Sequence, residues 1–334
     1  MKKHFSIAIF LLCFGIIESA AQDGSPKYKG RLDSVLTTHY FKQSYDTNYV
    51  KRPSQKWLLR VMVNQMGYHI HAKGTVNGIW SKYDLQTRKN TTLSLEVNYC
   101  DIATTLSLNP AKLSGHTDDY ELNVEYHGTR FSIDVNYQRS SSLAGDIEWG
   151  DVKRLDEDGI RMKVLNITGY YTFNHRRFSF PAALYQNYYQ IRSAGSWLAG
   201  FSYQGGSIKT TDELKARSPE SPVVNLHVGH FGIGGGYGYN LVLGKRSEWL
   251  FHLSAMPTVV VYNHNKLLIN DEHIHAKHVR INMIFNERAA IVYHFSPRYH
   301  AGVSMMMSNS LFDDKAVKVN QNKLLARAFF GFRL

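Results

Sequence analysis

Thr92-Leu93-Ser94-Leu95-Glu96-Val97-Asn98-Tyr99 is the stretch that decides the fold class. Apolar side chains occupy every second position, and polar side chains occupy the positions between them. Because successive side chains of a β-strand point to opposite faces, this period of two predicts a strand lying between two different environments. Residues 120–127 and 130–138 repeat the pattern. Only His127-Gly128-Thr129 separates these two runs, which predicts a tight hairpin.

The alternation continues along the chain from Trp57 and predicts about twelve strands. Nine of them lie outside the runs named above, at 57–67, 102–108, 161–173, 195–206, 224–243, 248–262, 277–295, 299–307 and 323–334. The apolar face slips near Gly229, and Glu287 interrupts another apolar face, so we expect a β-bulge or a strand break at each of these two positions.

Connector lengths alternate along the chain. Short connectors occur at 99–101, 127–129, 244–247 and 296–298, and longer polar ones at 68–91, 109–119, 140–160, 207–223, 263–276 and 308–322. Short turns on one side and long loops on the other are typical of outer-membrane barrels. We therefore predict an all-β fold, an antiparallel transmembrane β-barrel with a short N-terminal extension, whose short turns face the periplasm. The long connector 174–192 falls on the short-turn side, and the pattern gives it no role.

The first 21 residues have the layout of a secretory signal peptide. Lys2 and Lys3 precede an apolar run at 5–17, and small residues follow at 19–21. We expect three parts: a signal peptide at 1–21, a periplasmic or lumen-entering N-terminal segment at 22–56, and the barrel at 57–334. After the signal peptide Cys100 is the one remaining cysteine, so we expect no internal disulfide bond.

The composition favours a membrane barrel with lipid partners. After the signal peptide no stretch reaches the run of about 18 apolar residues that a membrane helix needs, so any span must consist of strands. Tyr99, Tyr120, Tyr126 and Tyr137 lie on apolar faces near strand ends, as in the aromatic girdles of membrane barrels. The formal net charge of +12 suits anionic lipid head groups, whereas nucleic acid is not expected for an exported chain. We expect outer-membrane lipids and lipopolysaccharide as partners, and the sequence identifies no protein partner.

The last strand alternates to its end. Phe330, Phe332 and Leu334 share one face, in a pattern similar to the C-terminal signal that the outer-membrane assembly machinery reads. That machinery is therefore an expected partner in biogenesis.

One block of the sequence resembles a known family. It includes Arg177, Phe178, Pro181, Gln186, Gln190, Ser193 and Gly195. Together with Asp46-Thr47-Asn48-Tyr49 and Gly236-Tyr237-Gly238-Tyr239-Asn240, this block resembles domain of unknown function 4421. The resemblance covers most of the chain and implies an exported outer-membrane barrel of unassigned activity.

Charged residues of both signs fall on the polar, lumen-facing side of the predicted strands. These residues are Arg60, Glu96, Glu121, Glu125, Arg130, Asp134, Arg280, Arg288, Lys323, Arg327 and Arg333. Unpaired charges inside a narrow barrel are costly. We therefore predict a paired network formed by Arg60, Glu96, Glu125, Asp134, Arg280 and Arg327. Such a network plugs a pore more readily than it lines one, and the functional alternative is a site or narrow passage for a small anion.

Other patterns suggest chemistry only weakly. The glycines at 232, 234, 236 and 238 would leave one strand face bare for bulky lumen groups or close backbone approach. His264, His273, His275 and His278 are interpreted as loop histidines, and neither a metal nor a cofactor is predicted. His252 and Ser254 share a strand face, but their spacing does not assure a hydrogen bond.

Three functional hypotheses remain open. The first is a non-enzymatic outer-membrane barrel that serves envelope structure, adhesion or the passage of a small solute or anion. The second is an outer-membrane lipid-modifying enzyme, an acyl hydrolase with Ser254 as nucleophile. The third is a soluble periplasmic lipid-binding β-barrel.

Overall fold

The computed structural model describes residues 44–76, 79–87, 90–108, 120–149, 152–217, 223–269, 272–274, 282–313 and 317–334. The elements are β1 (Val50–Lys51), β2 (Trp57–Val76), β3 (Ile79–Thr87), β4 (Asn90–Tyr99), β5 (Ile102–Leu108), β6 (Tyr120–His127), β7 (Phe131–Ser140), β8 (Leu143–Trp149), β9 (Val152–Leu155), β10 (Ile160–Thr172), α1 (Phe180–Leu184), β11 (Tyr189–Gln190), β12 (Ala194–Thr210), α2 (Asp212–Arg217), β13 (Val224–Leu243), β14 (Trp249–Ile269), β15 (Glu272–Ile274), β16 (Met283–His294), β17 (Tyr299–Asp313) and β18 (Val317–Arg333). Within these residues no helix is long and apolar enough to cross a membrane.

Twelve strands of the described residues form a closed antiparallel ring. The order around the ring is β2, β4, β5, β6, β7, β10, β12, β13, β14, β16, β17 and β18, and β18 pairs with β2 to close it. The predicted barrel is therefore confirmed. The turns that follow β4, β6, β13 and β16, the start of β2 and the end of β18 all lie at one end of the ring, which we call the turn end.

The outer surface of the barrel is apolar. Large apolar side chains such as Val61, Leu95, Ile133, Ile233 and Leu253 lie on the outward face, and more than a third of each is exposed. Such a band is stable only against hydrocarbon.

Aromatic pairs surround the turn end. They are Trp57 with Tyr99, Phe131 with Tyr171, Trp197 with Tyr237, Trp249 with Tyr293, and Tyr299 with Phe330. Aromatic side chains at this level form the girdle expected at a membrane interface. The chain is an outer-membrane β-barrel, and the soluble lipid-binding alternative is excluded.

The barrel continues beyond its apolar band at the other end, and here the predicted loops were wrong. The connector 68–91 is mostly strand, because β2 extends to Val76 and then pairs with β3, and β3 in turn pairs with β8. The connector 140–160 likewise contains β8 and β9. Above the band Tyr68 and Ile70 are buried on the inside while His69 is exposed. In this part of the barrel the apolar side chains face inward and the polar ones face outward, the reverse of the arrangement in the apolar band, because the outer face here lies outside the membrane.

Two predicted irregularities had different outcomes. The register between β13 and β14 shifts at Phe231/Gly232, close to the expected slip near Gly229. The ladder of β16 is regular on both sides, so the break predicted at Glu287 was wrong. Glu287 takes an outward position because its neighbours Asn286 and Arg288 point inward. The predicted strand 277–295 begins at Met283, and 277–281 lie outside the described residues.

The interior has three layers. An apolar cluster fills the turn end and includes Phe178, Phe180, Tyr188, Leu250 and Met256. A second apolar cluster closes the opposite end, with Met66, Tyr68, Leu143, Met162 and Leu325 among its members. Between the two clusters the lumen is lined by amide, hydroxyl and charged side chains.

Candidate functional site

Residues 174–193, between β10 and β12, fold into the turn end of the lumen, and we call them the plug. The plug contains α1, which begins after Ser179, whose Oγ accepts a hydrogen bond of 3.2 Å from the Ala182 amide. Pro181 lies in the first turn, where its missing N–H costs nothing. Phe178, Ala182 and Ala183 are completely buried. The connector that had no role in the sequence pattern therefore closes the barrel.

Gln186 ends the helical part of the plug in a left-handed conformation, with φ of 58°. That conformation is unfavourable for a side chain with a Cβ and persists only when its surroundings hold it. Arg60 NH1 donates to Gln186 Oε1 at 2.6 Å and to the Leu184 carbonyl at 2.9 Å. Arg333 NH2 donates to the Gln186 carbonyl at 2.6 Å. Two wall arginines therefore fix this residue in place.

The lumen charges pair across the wall. Arg60 donates to both carboxylate oxygens of Glu96, and the two side chains are almost fully buried. Arg327 NH2 lies 3.5 Å from Glu125 Oε1. Five of the six residues predicted for the network are thus in the lumen, and four of them form these two pairs. Arg280 lies outside the described residues.

Asp134 has a partner that the predicted network omitted. Arg288 NH2 donates to Asp134 Oδ2 at 2.6 Å and to the Tyr170 hydroxyl at 2.6 Å. The plug joins this pair, because Tyr185 OH donates to Asp134 Oδ1 at 2.9 Å. The inward position of Arg288 on its strand was visible in the sequence, but the plug tyrosine was not.

A chain of hydrogen bonds links the wall to the plug at Gln190. Gln190 Oε1 accepts from the Ser179 amide at 2.8 Å and from Asn240 Nδ2 at 3.0 Å. Asn240 Oδ1 contacts His252 Nδ1 at 2.7 Å, and His252 Nε2 contacts Ser254 Oγ at 3.0 Å. The His252–Ser254 pair is therefore hydrogen-bonded. It is buried beside the plug, where Phe180 packs edge-on against the His252 ring.

The family-like block is the plug and its attachment to the wall. Arg177, Phe178, Pro181, Gln186 and Gln190 lie within it. Ser193 Oγ accepts a hydrogen bond of 2.9 Å from the Val242 amide.

Two glycines of the family-like segments make room for aromatic rings. A Cβ on Gly195 would overlap the Tyr237 hydroxyl. A Cβ on Gly238 would lie 3.0 Å from Phe178 Cζ, so the bare face of this strand does accommodate a bulky lumen group.

Residues 44–53 bond to the plug through backbone hydrogen bonds, and we call them the strap. β1 pairs with β11, and the Asp46 amide donates to the Arg176 carbonyl at 2.8 Å. The Asn48 backbone amide donates to the Asp46 carboxylate and holds the pKa of that carboxyl below its usual value. Arg52 NH2 donates to Asp101 at 3.0 Å. The strap belongs to the segment 22–56 that was predicted to lie in the periplasm or to enter the lumen, and its contact with residues 174–193 was not part of that prediction.

The other predicted sites have simpler placements. Phe330 and Leu334 are exposed on the outer face of the turn end, and Phe332 is half-buried. No group of three or more metal-ligating side chains converges in the described part of the chain. His275 and His278 lie outside that part, as does the side chain of His273.

A cavity of about 90 Å³ with several polar lining residues, which we call the polar cavity, lies between the plug and the second apolar cluster. Because that cluster closes the end of the barrel opposite the turn end, we call it the outer apolar cluster. Arg288, Lys323 and Arg327 contribute to its lining, together with Glu125 and Asp134. Val135, Met306, Met307 and Leu325 supply the apolar part of the lining, and the neutral hydrogen-bonding residues in it include Asn123, Asn136, Thr168, Ser202, Gln204 and Asn286.

A family model described as "Domain of unknown function (DUF4421)" matches residues 44–334. Among curated proteins no significant match is found. The outer membrane protease OmpT from Escherichia coli is 7% identical, with a TM-score of 0.40, and the alignment covers 84% of this chain and 98% of that one. The outer membrane protein OprG from Pseudomonas aeruginosa is 10% identical, with a TM-score of 0.31 and coverages of 86% and 99%. The translocator domain of the autotransporter NalP from Neisseria meningitidis is 8% identical, with a TM-score of 0.33 and coverages of 82% and 88%. No activity is transferred from these proteins.

Proposed function

Since the chain belongs to the DUF4421 family, whose function is unknown, we propose its function from the lumen: it passes a small polar solute across the outer membrane when its plug moves. At rest the barrel is closed. A plug that closes a lumen with hydrogen-bonding side chains behind it favours gated passage over a permanently open pore.

The pairing of the wall charges supports this proposal. Glu96 bonds to Arg60, Asp134 to Arg288 and Glu125 to Arg327, and all six residues belong to the wall rather than to the plug. If the plug leaves, these pairs remain together and water satisfies the hydrogen-bonding groups that the plug occupied. The wall behind the plug is therefore compatible with a hydrated path, whereas an apolar wall would not be.

The outer apolar cluster closes the barrel differently from the plug. It consists of side chains on the walls and includes Met66 and Met162, with Met306 packed against them. Methionine is unbranched and flexible, so such a layer rearranges without movement of the chain. The slow step of passage is then the displacement of the plug.

The acyl-hydrolase hypothesis has less support. Ser254 is hydrogen-bonded to His252, as a nucleophile would be, but only 5% of Ser254 is exposed and the plug covers it. Purified protein should show no acyl hydrolysis above the level of Ser254→Ala. Hydrolysis that disappears in this variant would favour the enzyme.

Single-channel recording in planar bilayers tests the proposed passage. The unmodified barrel should show almost no steady conductance. Gln190→Ala removes the hydrogen bond that joins the plug to Asn240 on the wall, together with the two bonds inside the plug to the Arg177 and Arg192 carbonyls, and it should produce discrete openings. Gln86→Ala is the matched control, because Gln86 is exposed on β3, away from the plug. Steady conductance of the unmodified barrel would show an open pore. If neither Gln190→Ala nor Gln186→Ala produced channel openings, the proposed passage would be wrong and a structural role would be favoured.

A further inference from the structure

The polar cavity between the plug and the outer apolar cluster has an excess of hydrogen-bond donors. We propose that it is a binding site for one small oxyanion, a phosphate or a short carboxylate, held by Arg327 and Lys323. The inference rests on the proposed function, because it names the class of solute that the barrel would pass.

Arg327 is the first reason. Only 5% of this residue is exposed, and one of its nitrogens faces Glu125 at 3.5 Å. Its Nε and NH1 atoms have no hydrogen-bond partner among the described residues. A buried charged donor without a partner is costly, whereas the planar guanidinium fork matches two oxygens of a carboxylate or phosphate. Arg327 therefore has the unused donors that an oxyanion requires.

The environment of Lys323 is the second reason. The carboxylate of Asp134 is bonded to Arg288 and Tyr185, and Glu125 is the carboxylate beside Arg327. Lys323 Nζ donates to the neutral Asn136 Oδ1 at 2.6 Å, and within the described part of the chain no carboxylate forms an ion pair with it. Glu287 contributes to the lining but occupies an outward position on β16. Glu121 Oε1 accepts from Asn123 and Asn136 beside the cavity, so the positive charge of Lys323 is balanced at a distance while its ammonium group has no direct carboxylate contact in the described part of the chain.

Neutral donors and the size of the cavity narrow the class of ligand. Asn286 Nδ2 is buried without a hydrogen-bond partner among the described residues, and the hydroxyls of Thr168 and Ser202 also line the space. A volume of about 90 Å³ accommodates a few waters or a small anion. A phosphate or acetate fits this volume, whereas a nucleotide or a lipid head group with its chains does not.

Ligand-induced stabilisation tests the inference on the closed barrel in detergent. Inorganic phosphate and acetate are titrated at constant ionic strength against chloride, and Tm is followed by circular dichroism. The full chain should show a saturable rise in Tm with at least one of the two anions, because a ligand that binds only the folded state stabilises it. Lys323→Gln should weaken the apparent affinity at least tenfold, and Lys323→Arg should restore it. Lys266→Gln, on an exposed part of β14, should leave the affinity unchanged.

Three outcomes would overturn the inference. The first is a Tm that shows no saturable rise with either anion. The second is an apparent affinity in Lys323→Gln equal to that of the unmodified protein. The third is a loss of affinity in Lys266→Gln as large as that in Lys323→Gln. Because binding is measured without a membrane, failure here is distinct from failure of the conductance experiment. A barrel that opens when its plug is weakened but binds neither anion would still pass solutes of another class.

Discussion

Substitution of Arg60 gives the sharpest test of how the wall and the plug depend on each other. Arg60→Met removes two charge-assisted hydrogen bonds to Glu96 and two bonds to the plug, at Leu184 and Gln186. Glu96 is fully buried, and its remaining contact is a long one of 3.4 Å from Thr105 Oγ1. Leaving one member of a buried pair uncompensated costs about 3–5 kcal/mol of unfolding free energy. We expect a loss in that range.

The double variant Arg60→Met/Glu96→Gln separates charge from packing. It leaves no uncompensated charge at this site, so it should be more stable than Arg60→Met alone by about 2 kcal/mol, a coupling within the range of contacting pairs. Unfolding is followed by tryptophan fluorescence in urea, with the barrel in detergent or vesicles. Arg154→Met, whose side chain is 78% exposed, is the matched control and should change nothing measurable. A double variant no more stable than the single one would refute the reasoning.

The remaining predictions concern the same lumen and its orientation. Arg327→Ala should lower the unfolding free energy by about 3–5 kcal/mol because it leaves Glu125 unpaired, whereas Lys266→Ala should have little effect in the same urea assay. Gly238→Ala should destabilise the barrel by about 1–3 kcal/mol, because its Cβ meets Phe178, and Gly229→Ala should not, since its nearest neighbour would be 3.7 Å away; equal losses in the two would contradict this account. A membrane-impermeant maleimide should label Lys215→Cys but not Arg246→Cys in intact cells, because the first lies on α2 at the outer end and the second in a turn at the turn end. The reverse labelling would invert the barrel.

The barrel itself was predictable because membrane and lumen impose opposite polarity on alternate residues. Thr92 to Tyr99 shows this contrast at every position, and β13 has the predicted bounds. Where the outer face leaves the membrane the contrast disappears, and the sequence pattern no longer distinguished strand from loop at 68–91. A polar face can be a strand edge, a loop or an extension of the barrel, and local periodicity does not separate these cases.

The plug was not predictable from periodicity for a related reason. Its residues pack against strands that lie far away in the sequence, as Tyr185 does with Asp134 and Arg288. Local patterns record the environment of a residue and not the identity of its partners. The same limit applies to the ion pairs: alternation indicated which charges face inward, and the pairings required the register of the whole ring.

The plug also bears on the register in which the ring closes. β2 and β18 are the first and last strands of the ring, and they meet along a seam where Arg60 lies opposite Gly331. Arg60 on β2 and Arg333 on β18 both bond to Gln186, which comes from the middle of the chain. The seam between the first and last strands is therefore also the place where both ends of the chain bond to a segment from its middle. A ring closed in another register would separate Arg60 and Arg333 from the Gln186 side chain and carbonyl that they share in this one.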